Sequence, residues 1–255
     1  MPVEVVSDFD GTIVNIDVVE YLLAQFADGD WREYDHQYER GEISLEECLR
    51  QQYRMIEEPR KKLLDAVDGV TTFRAGFDGL VAFCRQRGIS FTIVSAGLDF
   101  VIAHLLRCRN LEKLIVVSAP KSKSTSRGII LDFSGLPQGG SSNFKSGLVK
   151  SIQARRTKVA YIGDGFSDYE AIRQANLRFV IRGSRLAEQC RRDDIRCHEI
   201  TDLGEVTRSL LGHGFDLPGE RERRSRRVST TNVSSNRRSR RAPQGGAHPG
   251  LSVRR

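Results

Sequence analysis

Val3-Glu4-Val5-Val6-Ser7-Asp8-Phe9-Asp10-Gly11-Thr12 decides the fold of this chain. A run rich in β-branched residues reads as a buried strand, and it ends on two carboxylates and a glycine turn. In an open parallel sheet, ligands bind beyond the carboxyl ends of the strands. Asp8 and Asp10 therefore stand at a site-forming edge. Two carboxylates this close repel unless a proton or a cation lies between them. A hard dication such as Mg²⁺, which takes oxygen ligands, meets that need. An Asp-rich turn that only caps the following helix also accounts for the stretch taken alone.

Working outward, two more apolar runs end on polar clusters. Ile89 to Val94 ends on Ser95-Ala96-Gly97, and Lys158 to Ile162 ends on Gly163-Asp164-Gly165-Phe166-Ser167-Asp168. Strands alternating with helices predict a doubly wound, Rossmann-like parallel α/β sheet, with all three clusters on one edge. Predicted helices cover Gly79 to Arg87, Leu98 to Cys108, Phe144 to Ala154, Tyr169 to Ala175, Gly183 to Arg191 and Leu203 to Leu211. Further strands are expected at Leu114 to Ser118, Arg178 to Ile181 and near Ile195 to Ile200. In the Ser-, Gly- and Lys-rich stretch 119–143, Gly128 to Phe133 reads as one arm of a hairpin.

Between the first strand and the rest, residues 15–75 read as helical. Val18, Val19, Leu22, Leu23 and Phe26 fall at helical spacing, and Ser44-Leu45-Glu46-Glu47 forms a capping box. Residues 28–42 are polar with interspersed aromatics. A helical insertion of this kind serves as a lid that excludes water. The expected division is a core of 1–14 and 76–212, a helical cap of 15–75 and a basic tail of 213–255.

The net charge of +7 comes from the tail. Residues 219–255 hold 11 arginines against two glutamates, while residues 1–218 hold 29 basic and 31 acidic residues. With so few large apolar residues, the tail is expected to be disordered. It has no aromatics for stacking on bases and no reading module, so nucleic-acid binding is not expected. No apolar run is long enough to span a membrane and no signal peptide is visible, so a cytoplasmic protein is expected. Cys48, Cys84, Cys108, Cys190 and Cys197 show no zinc spacing, and Cys84 and Cys108 read as core thiols. His36, His104 and His198 have no spacing that suggests a ligand set. Nothing specifies the oligomeric state.

Carboxylates for a metal, a hydroxyl at Ser95 and one fixed ammonium at Lys145 describe a phosphate site. A carboxylate can act as nucleophile there, and a second one can move protons. No GxxxxGK[ST] loop occurs, which argues against a nucleotide-hydrolysing switch. Ser95 is also placed to cap the following helix, and Asp17 has an ordinary capping position.

Asp8-Phe-Asp10-Gly-Thr12, Ser95, Lys145 and Gly163-Asp164-Gly-Phe-Ser-Asp168, in that order, resemble the four motifs of the haloacid-dehalogenase-like phosphatases over residues 1 to about 212. The resemblance implies Asp8 as nucleophile, Asp10 as general acid/base, and phosphate binding by Ser95, Ala96 and Lys145. It also implies Mg²⁺ held by Asp8, Asp164 and the Asp10 carbonyl, with Asp168 binding or orienting the metal shell. The substrate class it implies is a small-molecule phosphate ester. The helical insertion resembles the cap of the phosphoserine-phosphatase-like branch. Asp17, Phe26-Ala27, Trp31 and Gly41-Glu42-Ile43-Ser44 look most like its methionine-salvage members, which act on 2-hydroxy-3-keto-5-methylthiopentenyl-1-phosphate. Phosphoserine phosphatases carry Glu where Asp17 stands, so phosphoserine is the alternative substrate and Asp17 a candidate substrate contact. Ala96 replaces the usual glycine of both groups, and a methyl there would oppose a positive φ. A catalytically idle phosphate-binding protein is the reading of a different class. Trp31 and Tyr34 either line the substrate side of the cap or pack its small core.

Overall fold

The strand that opens the chain lies at the centre of the sheet. A computed structural model describes residues 1–137 and 143–212. The tail, its expected disorder and its nucleic-acid reading lie outside the described residues, as does part of the 119–143 stretch. Six parallel strands run in the order β3-β2-β1-β6-β7-β8: β1 (Val3–Ser7), β2 (Ser90–Val94), β3 (Val116–Ser118), β6 (Lys158–Gly163), β7 (Leu177–Ile181) and β8 (His198–Ile200). Val5, Val6, Ile93, Val159, Ile162 and Phe179 are buried in it, as expected for strands covered by helices on both faces. Register places Val5 opposite Phe91 on one side and Ala160 on the other. The three strands that end in polar clusters are therefore neighbours, with β1 in the middle.

Helices α5 (Phe77–Arg87), α6 (Asp99–Cys108), α7 (Phe144–Ala154), α8 (Tyr169–Gln174), α9 (Arg185–Arg192) and α10 (Gly204–Gly212) complete the α/β frame. A 3-10 turn, Phe166–Asp168, precedes α8. Two strands are shorter than their apolar runs, beginning at Val116 and His198. Gly128–Asp132 (β5) pairs antiparallel with Lys121–Thr125 (β4). The sequence reading had only one arm of this hairpin, because the β4 residues Lys-Ser-Lys-Ser-Thr are too polar to show a strand pattern.

Between β1 and α5 come α1 (Val18–Phe26), α2 (Arg32–Glu39), α3 (Leu45–Arg54) and α4 (Arg60–Asp68). Ser44 caps α3 by accepting from Glu47 N at 3.1 Å, and that helix buries Leu45, Cys48, Leu49, Gln52 and Tyr53. Helix α2 has no fully buried residue. The chain enters and leaves this helical insert side by side. Val14 and Phe73 form an antiparallel bridge, and Asn15 N donates to the Thr72 carbonyl at 2.9 Å. The far side of the insert rests on the hairpin, where Arg50 donates to the Leu131 carbonyl at 3.2 Å and stacks over Phe133.

All five cysteines are free. Cys84 is buried as expected, but Cys108 is exposed, a correction to its reading as a core thiol. It is the last residue of α6, where the apolar stripe runs out. Among the described residues, no helix is long and apolar enough to cross a membrane.

Candidate functional site

Asp8 and Asp10 follow the last residue of β1, and both are almost completely buried. The turn behind them is fixed by Arg74, whose guanidinium donates to the carbonyls of Gly11 and Thr12 at 2.6 and 2.7 Å. Thr12 Oγ1 donates to Asp164 Oδ1 at 2.6 Å, joining the ends of β1 and β6. Gly11 has φ +68°, and a Cβ there would lie 2.2 Å from Asp164 Oδ2. The turn thus needs glycine for both conformation and space.

Lys145 lies one residue into α7, beyond an Asn143 cap that accepts from Ser146 N. Its ammonium is 1% exposed and stands 3.0 Å from Asp8 Oδ1 and 2.7 Å from Asp168 Oδ1. It also donates to Ser167 Oγ at 2.9 Å. Burial works to lower its pKa, but the Asp168 and Asp8 carboxylates outweigh that and raise it, so the charge is held. Asp168 accepts four hydrogen bonds. Tyr161 Oη donates to Oδ1 at 2.7 Å alongside Lys145, while Asp164 N and Gly165 N donate to Oδ2 at 3.2 and 3.1 Å.

Ser95 Oγ donates to Asp10 Oδ2 at 3.2 Å and accepts from Gly97 N at 2.9 Å. It does not cap α6, whose N-cap is Leu98. The methyl of Ala96 opposes nothing in the backbone. Among the described residues, non-glycine positive φ occurs at Asn110, Arg156 and Asp194. The close approach falls one residue later, where a Cβ on Gly97 would lie 2.7 Å from Asp10 Oδ2. Asp17 caps α1, accepting from Glu20 N at 2.8 Å, and also lines the cavity above Asp8.

The carboxylates load this edge with negative charge. Burial, then the charge of Asp17, pushes Asp10 up to about 8. Burial and Asp168 push Asp164 up to about 7. Asp8 is raised well above its usual range, by burial first, then by Asp168, with Lys145 opposing. Asp8, Asp164 and Asp168 each offer an oxygen within 4.8 Å of the others. Hard carboxylate donors crowded at one buried edge suit a dication such as Mg²⁺.

A cavity of about 610 Å³ opens over the edge, between the sheet and the helical insert. Leu23, Trp31, Leu45 and Leu49 make an apolar wall, and Asp17 and Asp35 add carboxylates. Trp31 is on this wall; Tyr34 is not, and Tyr38 is there instead. Tyr38 meets Phe166 edge-on at 5.5 Å, and Glu39 pairs with Arg185, so α2 touches the sheet side of the cavity twice. The sequence reading missed Arg74, Tyr161 and Tyr38. Tyr161 did carry a signal, because a tyrosine inside a buried parallel strand needs an acceptor for its hydroxyl.

A family model described as haloacid dehalogenase-like hydrolase matches residues 5–173. Among curated relatives, the 2-hydroxy-3-keto-5-methylthiopentenyl-1-phosphate phosphatase of Geobacillus kaustophilus is 29% identical over 187 residues, covering 72% of this chain and 84% of that protein. The bifunctional enzyme MtnB/MtnX of Bacillus licheniformis is 26% identical over 81% of this chain, which spans 48% of its length. Among solved structures, a phospho-aspartyl intermediate analogue of phosphoserine phosphatase aligns with a TM-score of 0.61 at 19% identity, covering 82% of this chain and 98% of that one.

Proposed function

This chain belongs to the haloacid dehalogenase-like hydrolase family and is a phosphomonoester hydrolase, and we propose that it works through an aspartyl-phosphate with Mg²⁺, in the cytoplasm, on a small metabolite phosphate of the methionine-salvage type. One observation carries the reading. Three adjacent strand ends bring Asp8, Asp10 and Asp164 together with Lys145 at the floor of one cavity, and Ser95 stands behind Asp10. Helices α1–α4 act as the cap.

An Asp8 carboxylate oxygen attacks phosphorus as the ester P–O bond breaks. Asp10, whose proton affinity is raised by burial, gives its proton to the departing alkoxide. Water then attacks the acyl phosphate, Asp10 takes the proton from that water, and inorganic phosphate leaves with Asp8 restored. Ser95 keeps Asp10 aimed through the 3.2 Å hydrogen bond. Lys145 neutralises phosphoryl oxygens, together with the Ser95 and Ala96 side of the loop. Asp8, Asp164 and the Asp10 carbonyl would hold Mg²⁺, which supplies positive charge against the phosphoryl oxygens and the crowded carboxylates. With four donors on its two oxygens, Asp168 orients the lysine and the 163–165 turn.

The apolar wall of Leu23, Trp31, Leu45 and Leu49 suits a thioether chain, and the curated relatives support that substrate. Asp17 and Asp35 favour a second reading, an amino-bearing ester such as phosphoserine. Phosphate release from a methylthio-ketopentenyl phosphate, phosphoserine and an aryl phosphate, with Mg²⁺ or with chelator, decides between them. The expected result is Mg²⁺-dependent release with preference for the first. Preference for phosphoserine supports the second reading, and silence across the panel from folded protein would overturn both.

Two further results are expected. Gly97→Ala should lower kcat/KM by roughly 10- to 100-fold, because the new methyl displaces the Asp10 carboxylate. Ala96→Gly should change it by no more than about threefold, and steady-state kinetics on the two variants checks the contrast. The second concerns pH. Asp10 near 8 and Asp164 near 7 lie above their unfolded value of about 4. Their contribution to stability is therefore greatest below about pH 4 and falls as pH rises through the folded values. A dication held by the Asp8 and Asp164 carboxylates must displace the proton of Asp164. The rise in Tm given by a fixed Mg²⁺ concentration should be larger at pH 8 than at pH 6, and equal or reversed shifts would remove the carboxylate cluster as the metal site.

A further inference from the structure

A second group of possible metal ligands lies away from the cavity. Asp68 is the last residue of α4, in the helical insert, while His104 and Cys108 stand one turn apart on α6. His104 Nε2 is 2.7 Å from Asp68 Oδ1 and 3.9 Å from Cys108 Sγ. The three donor atoms all lie within 4.8 Å of one another. One imidazole nitrogen thus faces both a carboxylate and a thiol. The sequence reading found no zinc spacing because Asp68 is 36 residues from His104 and His-x-x-x-Cys alone is too short to notice.

The donor set separates this group from the strand edge. Four clustered carboxylates favour a hard ion, whereas carboxylate, imidazole and thiolate together favour a borderline one such as Zn²⁺. Tetrahedral zinc at about 2.0–2.3 Å from its ligands holds neighbouring donors roughly 3.3–3.8 Å apart. The sulfur–nitrogen separation is already close to that edge length. The oxygen–nitrogen hydrogen bond has to open by about half an ångström or slightly more, and Asp68, with its side chain 49% exposed, is free to turn. Nearby guanidinium groups do not compete, since Arg107 is held by Glu112 and Arg109 by Asp78.

We infer that Asp68, His104 and Cys108 form a three-residue site for a zinc-type dication, with water as the fourth ligand. Loading it ties the end of α4 to α6, the helix that follows the Ser95–Gly97 loop, so the ion joins the helical insert to the sheet at a point separate from the cavity. This site does not depend on the phosphatase reading.

The test uses the full chain, reduced and stripped of metal, titrated with Co²⁺. The expected result is a thiolate-to-cobalt charge-transfer band in the near ultraviolet at one equivalent, bleached when Zn²⁺ is added. Cys108→Ser should abolish the band, and His104→Ala and Asp68→Asn should each weaken cobalt binding at least tenfold. Asp8→Asn, Cys190→Ser and Cys197→Ser should leave the band intact, which separates this site from the carboxylate edge and from the other thiols. Circular dichroism confirms the fold of each variant, and the exposed Asp68→Asn carries the test if His104→Ala does not fold. Absence of the band in the wild-type chain, its survival in Cys108→Ser or its loss in Cys190→Ser would overturn the site.

Discussion

Replacing Asp8 with Asn is expected to reduce turnover by about 10⁴-fold or more, with a circular dichroism spectrum like that of the wild type. The amide cannot attack phosphorus, so no covalent intermediate forms and no other group on the cavity floor can replace it. The fold should tolerate the change for an electrostatic reason. Burial and the neighbouring carboxylates Asp168, Asp164 and Asp10 raise the pKa of Asp8, so removing its charge relieves repulsion. Lys145 loses one partner at 3.0 Å but keeps Asp168 at 2.7 Å. Phosphate release under single-turnover conditions is the measurement, and retained activity in this variant would falsify the covalent mechanism. Asp10→Asn should cost roughly 10²- to 10⁴-fold through lost proton transfer, with least loss on esters whose leaving groups need no protonation.

The second large effect is expected at Asp168. Asn in its place keeps one oxygen but turns an amide N–H₂ toward donors. Either Lys145 and Tyr161 or the two backbone N–H groups of Asp164 and Gly165 then face another donor. Removing one partner from a buried ion pair costs about 3 kcal/mol or more. In a folded unit of this size that corresponds to a fall in Tm of roughly 6–12 °C. Turnover should fall about 100-fold, because Lys145 and the Asp164 turn both lose their anchor. Thermal unfolding followed beside kcat separates the roles. A loss of activity and Mg²⁺ affinity with Tm unchanged would make Asp168 a metal ligand and not an organiser. Tyr161→Phe removes a single hydrogen bond and should cost about 1 kcal/mol.

How much of this was legible in the sequence varied with the physics of each segment. The parallel strands were readable because burial on both faces leaves nearly unbroken apolar runs, as in Val3–Ser7 and Lys158–Gly163. The strand-end residues were readable because motif order placed them on one edge, and the structure does gather Asp8, Asp10, Ser95, Lys145 and Asp164 there. Helix α2 was legible only as part of a helical insertion, since it buries no residue fully and has no apolar stripe to fix its ends. β4 was hidden for a similar reason, being a polar strand paired only with β5. Ser95 was expected to cap α6, yet its hydroxyl is spent on Asp10 and Gly97. The burden laid on Ala96 belongs to Gly97, because what excludes a side chain there is the Asp10 carboxylate, which only folding brings near. Cys108 shows the limit of helical pattern at a terminus. The stripe that buries Leu105 and Leu106 no longer meets a partner two residues later.

The antiparallel bridge between Val14 and Phe73 has a further consequence for how such a protein can change. Because the chain departs and returns at one point, the path from β1 to α5 closes the same way whatever lies in the detour. Closing the detour costs an entropy that grows only logarithmically with its length. Leu23, Trp31, Leu45 and Leu49, which line the cavity, lie inside it, while Asp8, Asp10, Ser95, Lys145 and Asp164 lie outside. Choice of leaving group and cleavage of the phosphoester bond are therefore written in separable lengths of chain. One can be redrawn with little effect on the other, provided that Asp17 and Val18, which act on Asp10 from inside the detour, are kept.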